Sequence, residues 1–408
     1  MESMSQSLPL RSRLAASAVV LTNRLVRWSR RGDGTVAGGR VGLRIAPRLL
    51  GDLANGRTVV CVSGTNGKTT TTAMTAKGWG VPVASNQTGA NMPAGLVAAM
   101  AGDPTNAAVL EVDEAWLGRV VRDVRPAVVS LLNLSRDQMD RASEVRQLAL
   151  KWRDVVRDNP DVHFVANAGD PLVAFAARDA AHVTWIATPW SWRGDAISCP
   201  RCTHPLHFGV TWHCASCGFS QPPSDMTVGD DGEIRRGGVR YEVPSSLPGL
   251  FNRVNAAFAL AALDVVGVAP GPAGAKLGEL ESIRGRYGLR TWHGRTIRLL
   301  LAKNPAGVAS LLASRDDLDE EVWVAINAEI ADGRDPSWLY DAPFEQLRGR
   351  TVKCLGRRRL DIATRLLYAG VACNVVDDES TLHGEGGPVT VIANYTTFRR
   401  FFETSTSC

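Results

Sequence analysis

Lysine is nearly missing from this chain of 408 residues: Lys68, Lys77, Lys151, Lys276, Lys303 and Lys353 are the whole set, although lysine and arginine together number 46. Arginine carries the positive charge, so a lysine in a polar turn is less easily read as background. Long apolar runs are missing too. None reaches the roughly 20 residues a membrane span needs. The short run LAASAVVL near the start is followed by Arg24 and Arg27 and shows no clear cleavage site, which argues against a signal peptide. The hydrophobic fraction of 45% and charged fraction of 21% are those of a soluble globular protein. The length exceeds one ordinary core, so two or three domains are expected.

The net charge of +5 is modest but unevenly spread. Residues 1–55 carry nine arginines against Glu2, Asp33 and Asp52, and the remaining chain is close to neutral. Such a basic arm suggests an anionic neighbour, whether membrane surface, phosphate-bearing ligand or nucleic acid; the plainer reading is a solvated helix face. Of eight cysteines, Cys61, Cys354, Cys373 and Cys408 are scattered. The other four form two C-x₂-C pairs, Cys199 with Cys202 and Cys214 with Cys217, eleven residues apart. Two knuckles of two thiolates can close a tetrahedral site, so structural zinc and a reducing compartment are expected, ahead of a redox pair. His204, His207 and His213 are substitute ligands that four thiolates do not need.

Strand-like and helix-like segments alternate along most of the chain. Residues 13–31 read as a helix with an arginine-studded face. RTVVCV, AAVLEV, PAVVSLLNL, HFVANAG and HVTWIA read as strands, with helices after the first three; the helix after the third runs from about 142 to 157. This argues for a mostly parallel sheet covered on both faces. The pattern breaks near Asp195, where a Cys- and Trp-rich insertion of small β elements begins. NAAFALAALDVVGV reads as a buried helix and the Gly/Pro-rich tract 267–288 as a linker. TIRLLLA, EVWVAIN, TVKCLG, ACNVVDD and VTVIANY supply a second α/β set. The expected division is a basic segment 1–55, a central domain 56–285 with its insertion at about 195–225, and a C-terminal domain 290–408.

The stretch VVCVSGTNGKTTTTAM carries the most chemistry. A buried strand runs into Gly64, Thr65, Asn66, Gly67, Lys68, Thr69 and Thr70, and a helix opens there. Glycines let backbone approach a phosphate, the helix start offers N–H donors, lysine offers charge and Thr69 a hydroxyl for Mg²⁺. Val62 stands where the full Walker pattern would have glycine. Glu111, at the end of a later strand, is the expected second Mg²⁺ ligand, while Asp113 reads as a helix-start acid. Asn133, Asp137 and Asp140 follow the next strand and would face the same crevice.

These residues together resemble the Mur ligase superfamily. GTNGKTT is similar to its phosphate loop, LLNLSRDQMD to its N-L-x-x-D-H-L-D motif with Gln138 in place of histidine, and LPGLFNRVNAAFALAAL to its G-x-x-N-x-x-N-x-x-A-A element. LLLAKNPAG resembles the D-Y-A-H-N-P motif that opens its C-terminal domain, with Lys303 for histidine. The resemblance implies a central parallel-sheet domain with a phosphate loop, here carrying the inserted zinc ribbon, followed by a Rossmann-like α/β domain. It implies ATP and Mg²⁺, and places Asn252, Asn255 and Asn304 at the nucleotide. RDQMDR, EVDEAWL, the four-cysteine insertion and ADGRDPSWLYDAPFE look like the MurT branch, which works with a glutaminase of the GatD kind. The implied reaction is ATP-dependent amidation of the D-glutamate α-carboxyl of a lipid-linked peptidoglycan stem peptide.

Other features are compatible. Only 56 residues precede the nucleotide strand, too few for a domain that grips a UDP-linked precursor. A basic arm suits lipid II at the inner face of the membrane, and a cytoplasmic, peripheral protein. The resemblance also implies a carbamylated lysine between the central motifs, as many Mur ligases use; no lysine lies between Lys151 and Lys276, so Lys151 would have to serve. The resemblance further implies that Asp332 or Asp335, in ADGRDPSWLYD, is lent to the partner's cysteine–histidine pair; read from the residues alone, both cap a turn. None of the four scattered cysteines lies on a strand-to-helix elbow, so glutamine hydrolysis belongs to a separate subunit. The alternatives are another ligase of the superfamily, such as a folylpolyglutamate synthase, and a nucleic-acid-binding NTPase. The ribbon and RDQMDR argue against the first, and the lack of any nucleic-acid-reading motif against the second.

Overall fold

The computed structural model describes residues 8–28, 36–86, 89–136, 145–189, 192–243, 247–283, 286–314, 318–329, 332–377, 382 and 386–407. Three helices come first: α1 (Leu10–Trp28), α2 (Ala37–Ile45) and α3 (Leu49–Ala54). The basic arm is thus folded onto the rest. Gly38, Gly39 and Gly42 are the buried face of α2. A Cβ on Gly39 would lie 1.7 Å from the Ala94 carbonyl oxygen, so only glycine permits this approach.

Strands β1 (Thr58–Ser63), β2 (Ala84–Ser85), β3 (Ala107–Glu111), β4 (Val128–Leu131), β5 (His163–Asn167) and β6 (His182–Ala187) follow. They alternate with helices α4 (Lys68–Gly78), α5 (Pro93–Met100), α6 (Leu117–Val124), α7 (Val145–Asp158) and α8 (Pro171–Ala177). Their near-continuous Val, Leu and Ala runs are buried on both faces, as parallel strands between helix layers must be. The insertion contributes the hairpin β7 (His207–Phe208) and β8 (Trp212–His213), then β9 (Met226–Val228), β10 (Ile234–Arg236) and β11 (Val239–Tyr241). The first sheet has nine strands in the order β11-β10-β9-β6-β5-β4-β1-β3-β2, parallel from β2 through β9.

Helix α9 (Leu250–Val265) covers one face of that sheet and is buried along most of its length. The Gly/Pro-rich tract is not a plain linker. It holds α10 (Pro270–Leu277), which starts on a proline where the missing N–H costs nothing. Ala273, Gly274 and Leu277 are buried there, against α4 and α9.

The second sheet comprises β12 (Tyr287–Trp292), β13 (Arg295–Leu301), β14 (Glu321–Ala325), β15 (Thr351–Leu355), β16 (Cys373–Val375), β17 (Val389–Ala393) and β18 (Thr406–Ser407), in the order β16-β15-β14-β17-β13-β12-β18. Strand β12 pairs antiparallel with both β13 and β18 at the edge, and the remaining pairs are parallel. Helices α11 (Pro305–Ala313), α12 (Arg359–Tyr368) and α13 (Tyr395–Thr404) cover it. One apolar cluster runs from Val60 and Val62 through α9 to Leu312, Val324 and Ile392, so the two sheets share a continuous core. Among the described residues no helix is long and apolar enough to cross a membrane.

Candidate functional site

At the carboxyl end of β1 the chain turns through residues 64–67 into α4. Gly64 (φ +151°) and Gly67 (φ +85°) adopt backbone conformations that favour glycine. A Cβ on Gly67 would lie 2.5 Å from Asn255 Oδ1. The loop is held from behind by the chain after β4. Thr65 N donates to Asn133 O (3.0 Å), Asn66 N to Asn133 Oδ1 (2.9 Å), and Asn133 Nδ2 to Asn66 O (3.0 Å). Thr65 Oγ1 donates to Ser135 O (3.1 Å) and accepts from Ser135 N (3.0 Å).

Lys68, the first residue of α4, is buried, and its ammonium donates to the Gly64 and Thr65 carbonyls. It also pairs with Glu114 at 2.9 Å, both side chains about nine-tenths buried. Thr69 Oγ1 donates to Glu111 Oε2 at 2.8 Å, and Asn91 Nδ2 donates to the other oxygen, Oε1, at 3.1 Å. Two oxygens bound to one Mg²⁺ at about 2.1 Å and at right angles lie about 3.0 Å apart. The Thr69–Glu111 pair therefore fits as neighbouring ligands. Asn86 fixes the Glu111 backbone in both directions, accepting from its N–H and donating to its carbonyl, each at 2.8 Å. Asp113 is held above the ordinary carboxyl range by burial and then by the Glu114 charge, while Lys68 and Lys303 pull it back. Lys303, from the second sheet's side, thus lies within electrostatic reach of this acidic cluster.

Asn304 closes the site from that same side. It caps α11, its Oδ1 accepting from Gly307 N at 2.7 Å, and its amide meets that of Asn66. Asn255 braces α4 from α9, its Oδ1 accepting from Thr71 Oγ1 at 3.2 Å; Asn252, one turn earlier, donates to the Pro248 carbonyl at 2.6 Å. Thr70 is buried within α4. Asp137, Gln138 and Asp140 lie outside the described residues. Lys151 is exposed on α7. The sequence reading did not find Glu114 as the partner of Lys68, nor Asn86 and Asn91. The acidic triplet spacing E-x-D-E was the available signal for Glu114.

Cys199, Cys202, Cys214 and Cys217 place their sulfurs within 4.8 Å of one another. Cys199 Sγ is 3.6 Å from Cys217 Sγ, and Cys202 Sγ is 3.5 Å from Cys214 Sγ. A tetrahedron with zinc–sulfur bonds of about 2.3 Å has edges of about 3.8 Å, so the cluster fits. Each pair forms a knuckle closed by backbone, Thr203 N to Cys199 O at 2.8 Å and Gly218 N to Cys214 O at 3.0 Å. The spacer forms the β7–β8 hairpin. His204, His207 and His213 are not in the cluster. Trp212 docks the unit, its Nε1 donating to the Ala168 carbonyl at 3.0 Å.

The two late aspartates part company. Asp332 is buried and satisfied, accepting from Thr396 N (2.8 Å), the Thr396 hydroxyl and Glu329 N (3.3 Å). Asp335 is half-buried and accepts from Ser337 N at 2.9 Å, which lowers its pKa. Burial pushes the Cys61 thiol up to about 12 and raises that of buried Cys354 as well, so neither is a ready nucleophile.

Residues 62–188 match the Mur ligase middle domain and residues 301–398 match the MurT ligase C-terminal domain. The subunit MurT of lipid II isoglutaminyl synthase (glutamine-hydrolyzing) from Staphylococcus aureus strain COL is 29% identical over 412 residues, covering 91% of this chain and 92% of that protein. The protein of that name from Streptococcus pneumoniae strain ATCC BAA-255 / R6 is 28% identical over 396 residues, covering 87% and 86%. Among solved structures, a pseudomurein peptide ligase type C from Methanothermus fervidus shares the fold, with a TM-score of 0.65 at 17% identity over 85% of this chain and 78% of that one.

Proposed function

We propose, for a chain that belongs to the Mur ligase superfamily and carries a C-terminal domain of the MurT kind, that it is the synthetase subunit of a lipid II isoglutaminyl synthase. It amidates the D-glutamate α-carboxyl of the lipid II stem peptide to D-isoglutamine. The observation that carries this reading is the constellation at the end of β1. A buried lysine and a threonine–carboxylate pair stand at a glycine turn, closed by an asparagine from the second sheet's side.

The substrate carboxylate attacks the γ-phosphorus of ATP, the bond to the β,γ-bridging oxygen breaks, and ADP leaves. Ammonia then attacks the acyl carbon, inorganic phosphate departs, and the nitrogen gives up a proton. Lys68 supplies charge to the phosphates, which draws it from Glu114, and Thr69 with Glu111 would hold Mg²⁺. That ion, when bound, neutralises charge on the transferring phosphoryl group. Zinc in the four-thiolate cluster would be structural.

A partner glutaminase of the GatD kind supplies the ammonia. Asp335, rather than Asp332, would serve the partner's histidine; the reading is supported by Asp332 spending both oxygens on Thr396 and Glu329, whereas Asp335 spends one on Ser337. The protein works in the cytoplasm at the inner face of the membrane. The test is amidation of lipid II by the purified chain with ATP. Ammonium salts should sustain it with the chain alone, and glutamine only after a glutaminase partner is added. Glutamine hydrolysis by the isolated chain, or no amidation with either donor in the complex, would overturn the reading.

A further inference from the structure

Helix α1 has two apolar faces. Ala15 and Val19 are fully buried against the body of the protein. On the opposite side Leu10 (72% exposed), Leu14 (61%), Leu21 (60%), Leu25 (55%) and Trp28 (85%) form one stripe. Spacings of four, seven, four and three residues keep these five within about 60° of one another around the helix. Contiguous exposed apolar side chains rimmed by polar ones mark sites of protein or membrane contact.

The surroundings of the stripe identify its occupant. Helix α1 contains no acidic residue, and Arg13 and Arg24 flank the stripe on one side, with Arg11 on the other. Arg27 lies further round, and the neighbouring α2 exposes Arg40 and Arg44. None of these six makes an ion pair among the described residues, although Arg11 donates to the Ile45 carbonyl and Arg27 to the Asn23 carbonyl. Apolar side chains bordered by arginines that have no carboxylate partner among the described residues complement acyl chains beneath anionic headgroups. A partner protein matched to this face would have to present acids around an apolar groove, whereas an anionic bilayer supplies both at once.

We propose that α1 lies in the interface of an anionic membrane, with Leu10, Leu14, Leu21, Leu25 and Trp28 inserted and the arginines among the headgroups. The choice of a bilayer over other anionic apolar surfaces rests in part on the lipid-linked substrate proposed above, which it would bring to the site from the plane of the membrane.

The test uses the full chain without lipid II or ATP, so it is read apart from the reaction. Co-sedimentation is measured with phosphatidylcholine vesicles, with and without about one-third phosphatidylglycerol. Binding is expected only to the anionic vesicles and should weaken as salt rises. Leu21→Glu with Leu25→Glu should cut vesicle binding at least about tenfold. Arg13→Gln with Arg24→Gln should flatten the salt dependence. Both pairs are exposed, and an unchanged circular dichroism melt confirms the fold. Two results would overturn the proposal. One is wild-type protein left in the supernatant with anionic vesicles at low salt. The other is a leucine variant that binds as wild type does, or that changes only the oligomeric state or recovery of a partner protein. Amidation of a short-chain, water-soluble lipid II analogue should be unchanged in the leucine variant. If wild type fails that assay, the proposed function is at fault and the vesicle result still stands.

Discussion

Asn66 and Asn304 lie 238 residues apart in sequence and meet amide to amide. Asn66 Nδ2 donates to Asn304 Oδ1 at 3.3 Å, and Asn304 Nδ2 donates back to Asn66 Oδ1 at 3.2 Å. The pair ties the glycine turn between β1 and α4 to the cap of α11, and so ties the two sheets together at the candidate site.

Replacing either asparagine by alanine should therefore lower amidation with ammonium as donor, and the double variant should cost less than the sum. A coupling of about 1 kcal/mol between the two sites is expected for a mutual pair of hydrogen bonds. A double-mutant cycle on kcat/KM measures it, and strict additivity would remove the pair from the closing contact.

Lys68→Ala should reduce turnover with either nitrogen donor by at least about a hundredfold. It should also destabilise the fold by about 3 kcal/mol, because Glu114 is left charged and buried. Adding Glu114→Gln should restore much of the stability and none of the activity. Urea unfolding beside the amidation assay separates the two effects. Return of activity in the double variant would deny Lys68 a role at the phosphates.

Purified protein should contain one zinc per chain by metal analysis under reducing, non-chelating conditions. Cys214→Ser should lose it and expose the segment around Trp212 to protease, while β1 to β6 remain folded. Metal content near zero in wild type would refute the four-thiolate site.

Asp335→Asn should impair glutamine-driven amidation by the complex and leave ammonium-driven amidation nearly intact. Asp332→Asn should lower the melting temperature and both activities together, since it weakens the cap on α13. Equal loss with both donors for Asp335→Asn would place that residue in the ligase site or the fold.

Glu321 gives a pH signature for the second sheet. Burial alone would raise its pKa, but Arg295 at 2.7 Å, Lys353 at 2.8 Å and Trp323 at 2.7 Å outweigh burial and bring it down to about 2. A carboxyl depressed on folding stabilises above its unfolded pKa and loses that contribution as pH falls from about 4.5 to 2. Glu321→Gln should thus cost about 1–2 kcal/mol at neutral pH, after allowance for solvent screening. The difference from wild type should fade below about pH 4 in urea titrations.

The glycine turn between β1 and α4 and the four-cysteine cluster were legible because their signals are local: glycines around a lysine between strand and helix, and two C-x₂-C pairs. The paired sheets were legible from buried runs of Val, Leu and Ala. What escaped depends on distant partners. Glu114 is recognisable only once α4 is folded against it. Asp332 and Asp335 look alike until Thr396, on α13, takes one of them. Helix α10 was read as linker because Gly and Pro punctuate it. Packing of Ala273 and Leu277 on α4 and α9 overrides that propensity.

The glycines of the phosphate loop supply room, not looseness. Asn133, Ser135 and Asn304 brace the loop between β1 and α4 with protein–protein hydrogen bonds. If the loop holds a polyphosphate as proposed, a loop braced in this way would spend little conformational entropy on binding it. On that proposal, nucleotide affinity and the relative placement of the two sheets would be thermodynamically linked through Asn66 and Asn304. If ATP binds there as proposed, whatever shifts α11 against β1 would change the grip on it, and ATP would resist that shift by the same free energy.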